Sequence, residues 1–539
     1  MINSIKIITS EITENLNFSF VNKAKCIFNF EQLNLDYGNS FTFEINFDLT
    51  ILEYRNHDYN WVSTKSNYVA NQFCPKILKL QNGFFVQSNI TDGIWEIDKN
   101  NNKQLLWKFN PQHANPITNY QGINNTKSVE SAIQKFRFQQ FPVLLFSLKN
   151  AVEFSRSIHP FSAVAVFTDH CDFDTALNLK LQREFFKEHG IKITKGFFLN
   201  HFSKRDDNAS FQNDYKELLK WQKEAHELCY HSLSQSIKSV DESLDDFYTL
   251  NPPLSNIKTW IDHGYQPYNL SLYKNNNIEN KVFESNLINK NIKILWNYID
   301  SGTATVGVIN QLNPQQFSLS SFYNGSSNES FITRIQLLIK NIVFHHYGNE
   351  VIINRYKKTS THFKKLIYNK NISSFFTFSK NFVLISFSII KVLLFWSRHK
   401  NIPFKLAKFS PLVFKHTISE NDFYIFQTLE MLDFKKSLKK ENIDLLILEN
   451  GVFIAHTYFS VPLKYHRGKL FKSETSIDSE VKHNFTYLGQ KIKNNEIWNP
   501  TLSELIDYWS KFEKIILDVN QVGEIVIKNN EDLVFRIIN

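Results

Sequence analysis

Hydrophobic and polar residues alternate with two different periods along the chain, and the change of period divides it. Up to residue 155 the period is two, as in residues 41–48, and turn-forming segments such as 81–83 and 98–102 separate the runs. This pattern is typical of half-buried strands. We therefore predict a β-rich accessory domain over 1–155, similar to a β-sandwich, with residues 128–139 as a helical connector.

From residue 156 to 309, short apolar runs alternate with segments of helical period. The predicted strands are 164–167, 193–199, 227–230 and 259–261, and the predicted helices include 176–188 and 214–226. Strands that alternate with helices favour a parallel sheet with helical crossovers, either open or closed as a barrel.

The second half of the chain interrupts this alternation and then resumes it. Residues 310–410 are predicted to be an insertion that is mostly helical. Within it, residues 382–396 are strongly apolar but carry Lys391 and are shorter than the ~20 residues that span a bilayer. They predict either a buried or amphipathic helix or a helix lying on a membrane surface. In the remainder we predict strands at 443–448 and 451–456, a helix at 502–508, and a closing hairpin formed by 524–528 and 533–538.

Composition excludes several classes of protein. Hydrophobic residues make up 42% of the 539 residues and charged residues 21%, which is typical of a globular rather than a disordered chain. The net charge is +9, but the basic residues are not interspersed with aromatic residues in the pattern that predicts nucleic-acid binding. No nucleic-acid partner is therefore expected. The four cysteines form no Cys-x-x-Cys pair, and residues 1–10 lack the apolar run of a signal peptide, so we expect no disulfide framework and a cytoplasmic location.

Ionisable side chains cluster where three predicted strands end. They are Asp169, His170 and Asp172 after the first strand, His231 after the third, and Asp262 and His263 after the fourth. Burying such groups is costly unless a metal or a substrate compensates the cost. Because the carboxyl ends of parallel strands meet at one edge of a sheet, these residues are candidates for a common site.

Each of these residues also has a structural interpretation. Asp169 or Asp172 could cap the following helix, and residues 262–264 could form a plain turn. His456, on a later apolar strand, could be a core histidine, as we expect of His189 and His226.

The order of the first cluster and the segments after it resembles the polysaccharide deacetylases, the NodB-homology carbohydrate esterases. The family's first motif, Thr-Phe-Asp-Asp at the end of a strand, is similar to Val-Phe-Thr-Asp at 166–169. In the family a helix, His-Gly and a strand with Thr-x-Phe-Phe follow. Here the helix is followed by His-Gly at 189–190 and Thr-Lys-Gly-Phe-Phe at 194–198.

Two later motifs extend the resemblance. The family's Glu-Ile-Gly-x-His-Ser/Thr-x-x-His is similar to residues 227–235, and its Arg-x-Pro-Tyr is similar to Gln-Pro-Tyr at 266–268. His456 takes the place of the family's late histidine. The resemblance covers about 160–300, and about 440–515 more weakly.

The resemblance implies an α/β fold, a distorted (β/α) barrel of the NodB type with an N-terminal β-rich domain and a helical insertion. The first part of the barrel would be 156–309, and its remainder with the C-terminal hairpin would be 411–539. The implied activity is metal-dependent hydrolysis of N-acetyl groups, or O-acetyl groups, on a polysaccharide or a glycan precursor.

The resemblance also implies roles for individual residues. In the family one Asp and two His hold a divalent metal, and a second Asp acts as base. Asp169 matches the base, His231 matches the first histidine ligand of the second motif, and His170 stands where the metal-binding Asp stands. His456 would be the acid that protonates the leaving amine.

The chain departs from the family at two places. Gln235 stands where the second motif has its second histidine, and the arginine of the third motif is absent. Asp172 and His263 are candidates to replace the missing ligand. With His170 and His231 they would form a mixed nitrogen and oxygen set suited to zinc or a similar metal.

Aromatic residues and carboxylates leave alternatives open. Trp260, Tyr268 and Tyr458 are candidates for sugar-binding surfaces and equally for core packing. If the metal site is degenerate, the chain would be a glycan-binding or scaffold protein. A metal-independent glycosidase would instead need paired carboxylates, for which Asp169 with Asp262 or Asp300 is the candidate pair.

Overall fold

A computed structural model describes most of the chain. The residues outside the description are 30–39, 122–125, 132–137, 139, 203–205, 234–237, 263–268, 271–277, 297–298, 304–308, 328, 370–372, 410–411, 432 and 461–469. The predicted site residues His263 and Tyr268, as well as Gln235, lie outside the described residues.

The described strands between residues 2 and 147 form two large antiparallel sheets and one small two-stranded sheet. The strands of the six-stranded sheet are, in spatial order, Thr13–Asn15, Ile2–Ile8, Phe41–Phe47, Gln104–Phe109, Ile94–Ile97 and Tyr68–Ala70. Those of the seven-stranded sheet are Phe18–Val21, Lys25–Phe28, Val143–Ser147, Phe85–Ser88, Ile77–Leu80, Ile51–Arg55 and Trp61–Ser63. Alternate residues of Phe41–Phe47 are buried, as a period of two requires.

The two sheets share one apolar core. Phe43 and Ile45 of the first sheet belong to the same buried cluster as Leu78 and Leu144 of the second. The helical connector predicted at 128–139 is wrong over its first four residues, because Thr126–Ser131 is a strand paired with Pro116–Gln121.

The second half of the fold is built on one large sheet. Its neighbouring parallel strands are Val452–Thr457, Ala163–Asp169, Thr194–Phe197, Glu227–His231, Thr259–Ile261, Ile294–Trp296 and Asn421–Phe426. Further strands attached to it are Val413–Ile418, which is antiparallel, and Asp300–Thr303, Thr428–Glu430 and Ile497–Trp498, which are parallel.

The two sides of this sheet are joined through consecutive segments of the chain. Asn421–Phe426 pairs with Ile294–Trp296, while Thr428–Glu430 pairs with Val452–Thr457. Only Gln427 separates Asn421–Phe426 from Thr428–Glu430. The sheet therefore curls round until its two sides meet along one nearly continuous segment, 421–430.

The curled sheet has an inner and an outer face, both buried. On Ala163–Asp169, Val164 and Val166 pack in the cluster that includes the N-terminal core, whereas Ala165 and Phe167 pack in the cluster formed with the surrounding helices. This explains a strand in which every residue is buried, as in parallel sheets covered on both faces.

The helices described are Ala176–His189, Phe211–Lys223, Val240–Thr249, Asn280–Asn289, Leu319–Gly325, Phe331–Asn341, Glu350–Asn369, Ser374–Leu394, Trp396–His399, Lys405–Lys408, Phe434–Ser437, Lys440–Leu448, Ser479–Lys493 and Leu502–Trp509. Short 3₁₀ turns lie at Pro314–Gln316 and Ser510–Lys514, and a π-helical turn at Ile342–Tyr347.

Local sequence accounts for the ends of the first of these helices. Thr175 caps Ala176–His189 in a capping box with Asn178, and Gly190 ends it in the left-handed conformation at φ 65°. The helix predicted at 176–188 is thereby confirmed. The capping role considered for Asp169 and Asp172 falls to Thr175 instead.

Two predictions in the C-terminal part are wrong. Residues 443–448, predicted as a strand, belong to the helix Lys440–Leu448. The prediction failed because the period of a short apolar run does not distinguish a buried helix from a buried strand. The predicted closing hairpin does not form either. Ile525–Asn529 pairs with Ile516–Val519, and Phe535–Ile538 pairs with Ala151–Phe154 at the end of the N-terminal region.

We expect His226 to make the fold sensitive to acid. Its Nδ1 accepts a hydrogen bond from the backbone N–H of Ile193 at 3.1 Å, and burial lowers the pKa of the imidazole to about 4. Because this pKa lies below that of the unfolded chain, the stabilisation is complete above about pH 6.5 and is lost as the pH falls through about 4. The loss should be about 2–3 kcal/mol of unfolding free energy between pH 7 and pH 4.

Urea unfolding of wild type and His226→Gln at both pH values measures this effect. The variant should lose less stability on acidification than the wild type, and His483→Gln at an exposed position should behave as the wild type. Equal acid sensitivity of wild type and His226→Gln would contradict the assignment.

Candidate metal centre

Two strand ends of the large sheet bring three predicted ligands together. His231 is the last residue of Glu227–His231, and His170 directly follows Ala163–Asp169, where its backbone N–H donates to the carbonyl of Thr457 at 2.9 Å. The potential ligand atoms of His170, Asp172 and His231 all lie within 4.8 Å of one another. Both imidazoles are buried, and the carboxylate is partly exposed. This group could hold a metal ion.

The donor set fits a divalent transition metal. The Nε2 of His231 and the Oδ2 of Asp172 are 2.8 Å apart, and the ring of His170 lies edge-on to that of His231 with centroids 4.6 Å apart. Two imidazole nitrogens and one carboxylate oxygen are ligands that zinc and similar metals accept. Binding would replace the contact between His231 and Asp172, since both atoms would become donors to the ion, so occupancy should fall at low pH.

Gly196 allows the strands that carry this group to lie close together. A Cβ at this position would lie 2.4 Å from the backbone oxygen of Asp169 and 3.2 Å from the Cβ of His231. Any larger residue would force the neighbouring strands apart. Close packing of the strands at the site therefore explains why the Thr-Lys-Gly-Phe sequence has glycine at position 196.

His456 lies beside the group and is held by a carboxylate. Its Nδ1 is 3.1 Å from the Oδ1 of Asp300, which also accepts a hydrogen bond from the Oγ1 of Thr428 at 2.7 Å. The ring of His456 stacks on that of His170 with centroids 4.0 Å apart. A carboxylate at Nδ1 favours the tautomer that carries its proton there, so in the neutral ring Nε2 has the lone pair.

Two aromatic rings border the histidines. Trp296 lies 4.8 Å from His170 and 4.9 Å from His456 between ring centroids, and its Nε1 donates to the Oγ1 of Thr428 at 3.0 Å. Tyr458, a predicted substrate-binding residue, lies 5.1 Å from His170 and 4.9 Å from His456. Trp296 was not among the predicted site residues, although it ends an apolar strand four residues before Asp300.

Asp169, the predicted base, lies elsewhere. Its side chain is fully buried in an ion pair with Lys195, which also contacts Asp174 and donates to the Oε1 of Gln182 at 3.0 Å. This cluster faces the helices, on the side of the sheet opposite to the inner residues Val164 and Val166. The reason is the alternation of side chains along the strand, which sends Asp169 and His170 to opposite faces.

Lys195 is one cation between two carboxylates, those of Asp169 and Asp174. Burial alone would lower the pKa of this ammonium group, but the charges of Asp169 and Asp174 together raise it above its ordinary value. Burial raises the pKa of Asp169 to about 7 against the opposing charge of Lys195, and Asp174 adds to the rise. One cation between two carboxylates leaves one excess negative charge, which a buried setting disfavours.

Trp260 also departs from its predicted role. The side chain is fully buried in the outer cluster and stacks on Phe247 with centroids 5.6 Å apart, so it is a core residue and not a sugar-binding surface. Asp262 accepts a hydrogen bond from the backbone N–H of Asn269 at 2.8 Å. The turn considered at 262–264 includes residues outside the described part of the chain. His263 and Tyr268, predicted as ligand and substrate contact, fall in the segment that is not described.

Comparisons with known proteins do not assign this chain to a family. No family model matches the chain, and no curated protein matches it. A glycoside hydrolase 31 dextranase from Flavobacterium johnsoniae in complex with glucose is similar over 55% of this chain and 39% of that chain, with 8% identity and a TM-score of 0.23. A mutant of that dextranase with isomaltotriose gives 6% identity and a TM-score of 0.21 over the same shares. The chain thus spans about two fifths of the dextranase, and a likeness this small carries no assignment.

Proposed function

We propose that this chain is a metal-dependent hydrolase that removes N-acetyl groups, or O-acetyl groups, from a polysaccharide or glycan precursor. The observation that supports the proposal is the group His170, Asp172 and His231 at the carboxyl ends of parallel strands. In barrels of alternating strands and helices, catalytic groups gather at that end. We propose the same for the fold: the curled sheet is a distorted (β/α) barrel of the deacetylase type.

The proposed ion is zinc or a similar divalent metal, held by His170, Asp172 and His231. When bound, such an ion polarises an acyl carbonyl and lowers the pKa of water. The protein side chains would fix its position, and Asp172 would keep the imidazole of His231 oriented before binding.

His456 would move the proton in this reaction. The oxygen of water forms a bond to the acyl carbon, the carbon–nitrogen bond breaks, and acetate and a free amine result. In its neutral form, with Nδ1–H directed at Asp300, the Nε2 of His456 takes the proton of the water and then delivers it to the leaving nitrogen. This role replaces the one predicted for Asp169, whose carboxylate is paired with Lys195.

Tyr458 would contact the sugar. Its ring is partly buried and lies beside both histidines, and an aromatic ring offers the flat apolar surface that a pyranose ring can lie on. Trp296 is fully buried and packs against the two histidines as a core residue. A glycosidase that uses Asp169 with Asp300 is not favoured. The first carboxylate is paired with Lys195 and the second is bonded to His456.

Acetate release from acetylated glucosamine oligomers tests the proposal. The protein purified without chelators should release acetate, a chelator should stop the release, and zinc should restore it. Asp300→Asn should lower kcat by about a hundredfold and shift the acid limb of the pH profile, since His456 loses its carboxylate partner while the metal ligands remain. Glycan binding without metal and without acetate release would contradict the proposal and favour a scaffold protein.

A further inference from the structure

A helical hairpin in the insertion presents an apolar surface to solvent. It consists of Glu350–Asn369 and Ser374–Leu394, which pack together so that Phe363 meets Phe378 with ring centroids 5.7 Å apart. Among the described residues, Ser374–Leu394 is a helix long and apolar enough to cross a membrane. Its outer face is formed by exposed side chains, namely Phe376, Phe382, Val383, Phe387, Ile390, Leu393 and Leu394.

This outer face is not part of the core of the hairpin. The opposite side of the helix is already packed, since Ile385 lies in a buried cluster with Val343 and Ile352, and the carbonyl of Ser388 accepts a hydrogen bond from Tyr347. By contrast, Phe376 is 79% exposed and Phe387 75%. Soluble monomers rarely expose contiguous apolar surface of this kind, and such surface marks a site of interaction.

The charge of the insertion indicates what the partner is. Residues 310–410 contain fourteen Lys and Arg against two Asp and Glu, a net charge of +12. The whole chain carries +9, so the remaining residues carry −3. A second copy of this chain would bring the same positive charge to the interface and would be repelled. An anionic lipid surface offers both hydrocarbon and negative charge.

The position of the charges favours a place at the membrane surface over a buried span. Lys380 and Lys391 are exposed on Ser374–Leu394, and its partner helix carries five cations, namely Arg355, Lys357, Lys358, Lys364 and Lys365. Cations in the middle of a bilayer are costly, whereas at its surface they contact lipid phosphates. The hairpin therefore suits the interfacial region, with the apolar face inserted among the acyl chains and the cations among the headgroups.

We propose that the helical hairpin docks this protein on an anionic membrane surface through the outer face of Ser374–Leu394. The docking holds the sheet and its candidate metal centre near the bilayer, so that lipid-linked glycans come within reach. The docking does not depend on the hydrolytic activity.

Co-sedimentation of the full chain with lipid vesicles tests the docking. Vesicles of phosphatidylglycerol and phosphatidylcholine should bind the protein, and vesicles of phosphatidylcholine alone should not. Raising the salt from about 0.1 to 1 M should weaken binding, because the range of the charges falls from about 10 to 3 Å. Phe376→Glu with Phe387→Glu should lower the vesicle partition coefficient by at least about tenfold, since two aromatic anchors are lost.

Matched controls separate insertion from a general effect of charge. Leu148→Glu with Leu448→Glu changes two exposed apolar residues outside the hairpin, 60% and 73% exposed, and should leave vesicle binding unchanged. Circular dichroism should show both double variants folded. Acetate release from a soluble oligomer should be equal in the Phe376/Phe387 variant and the wild type, so failure of the proposed function and failure of the docking are distinguishable.

Two outcomes would overturn the proposal. One is equal binding to neutral and anionic vesicles by the wild type and both double variants. The other is no vesicle binding together with a dimer in light scattering that the Phe376/Phe387 variant dissociates, which would assign the face to a second copy.

Discussion

Replacing Lys195 by methionine is expected to destabilise the protein by about 3–5 kcal/mol, because it leaves two buried carboxylates without their cation. Lys195 is fully buried and contacts Asp169 and Asp174, and these two side chains are themselves at most 2% exposed. Loss of one partner from such a group leaves an uncompensated buried charge, whereas methionine fills most of the same volume. Urea unfolding at pH 7 measures the change.

The comparison with an exposed pair makes this prediction specific. Lys187 forms an ion pair with Glu224 at 2.8 Å, but its side chain is 62% exposed. Lys187→Met should therefore cost less than about 1 kcal/mol. Changing both carboxylates to amides in the Lys195→Met background should recover part of the loss. A cost below 1 kcal/mol for Lys195→Met itself would show that the cluster is not a stabilising element.

Replacing His231 by alanine is expected to abolish metal binding and hydrolysis while the fold persists. Purified without chelators, the wild type should contain about one zinc or similar ion per chain. Changes to outer partners of metal ligands weaken affinity about 10–100-fold, so loss of one of three protein ligands should weaken it at least about a hundredfold. Plasma mass spectrometry and isothermal titration with zinc measure the two quantities.

His189 provides the matched control for this prediction. Its Nδ1 contacts the carbonyl of Phe185 within its own helix, and its Nε2 contacts the hydroxyl of Thr486 on Ser479–Lys493, both outside the metal group. His189→Ala should lower stability and leave the metal content unchanged. If both alanine variants retain the ion, or if neither they nor the wild type binds zinc, the group of His170, Asp172 and His231 is not a metal centre.

The elements around the candidate site were largely predictable from local sequence. Helix Ala176–His189 carries both of its end signals, Thr175 and Gly190, within a few residues. The strand before His170 and the strand that ends at His231 are short apolar runs followed by polar residues, and this pattern predicts both the strand and its functional end. Only Thr194–Phe197 separates the two strands in the parallel sheet, so their carboxyl ends lie at the same edge, and Gly196 on the strand between them leaves room for close packing.

The direction of each side chain was harder to predict. Asp169 and His170 are adjacent in sequence, and which of them faces the inside depends on the register of the strand in the sheet. The partner that decides the question, Lys195, lies on the next strand, at the position paired with Asp169. A basic residue there gives no sign by itself that its ammonium group is buried between carboxylates.

The pairing of strands that are distant in the chain could not be predicted from the sequence either. Residues 524–528 and 533–538 were predicted to form one hairpin because two apolar runs are separated by a turn. Each finds a partner elsewhere, Phe535–Ile538 with Ala151–Phe154, because the N-terminal region offers an open strand edge. Such a choice depends on the assembled fold and not on the turn.

The pairing of Ala151–Phe154 with Phe535–Ile538 has a consequence for biosynthesis. Glu153, fully buried, contacts Arg55 of the N-terminal sheets and Arg536 beside its own strand partner. Translation adds roughly 5–20 residues per second, so the strand edge at 151–154 waits roughly 20–80 s for its partner to be made. During that interval the nascent chain exposes an open edge and an incompletely paired carboxylate. Factors that shield nascent chains should therefore matter for the yield of this protein more than its native stability suggests.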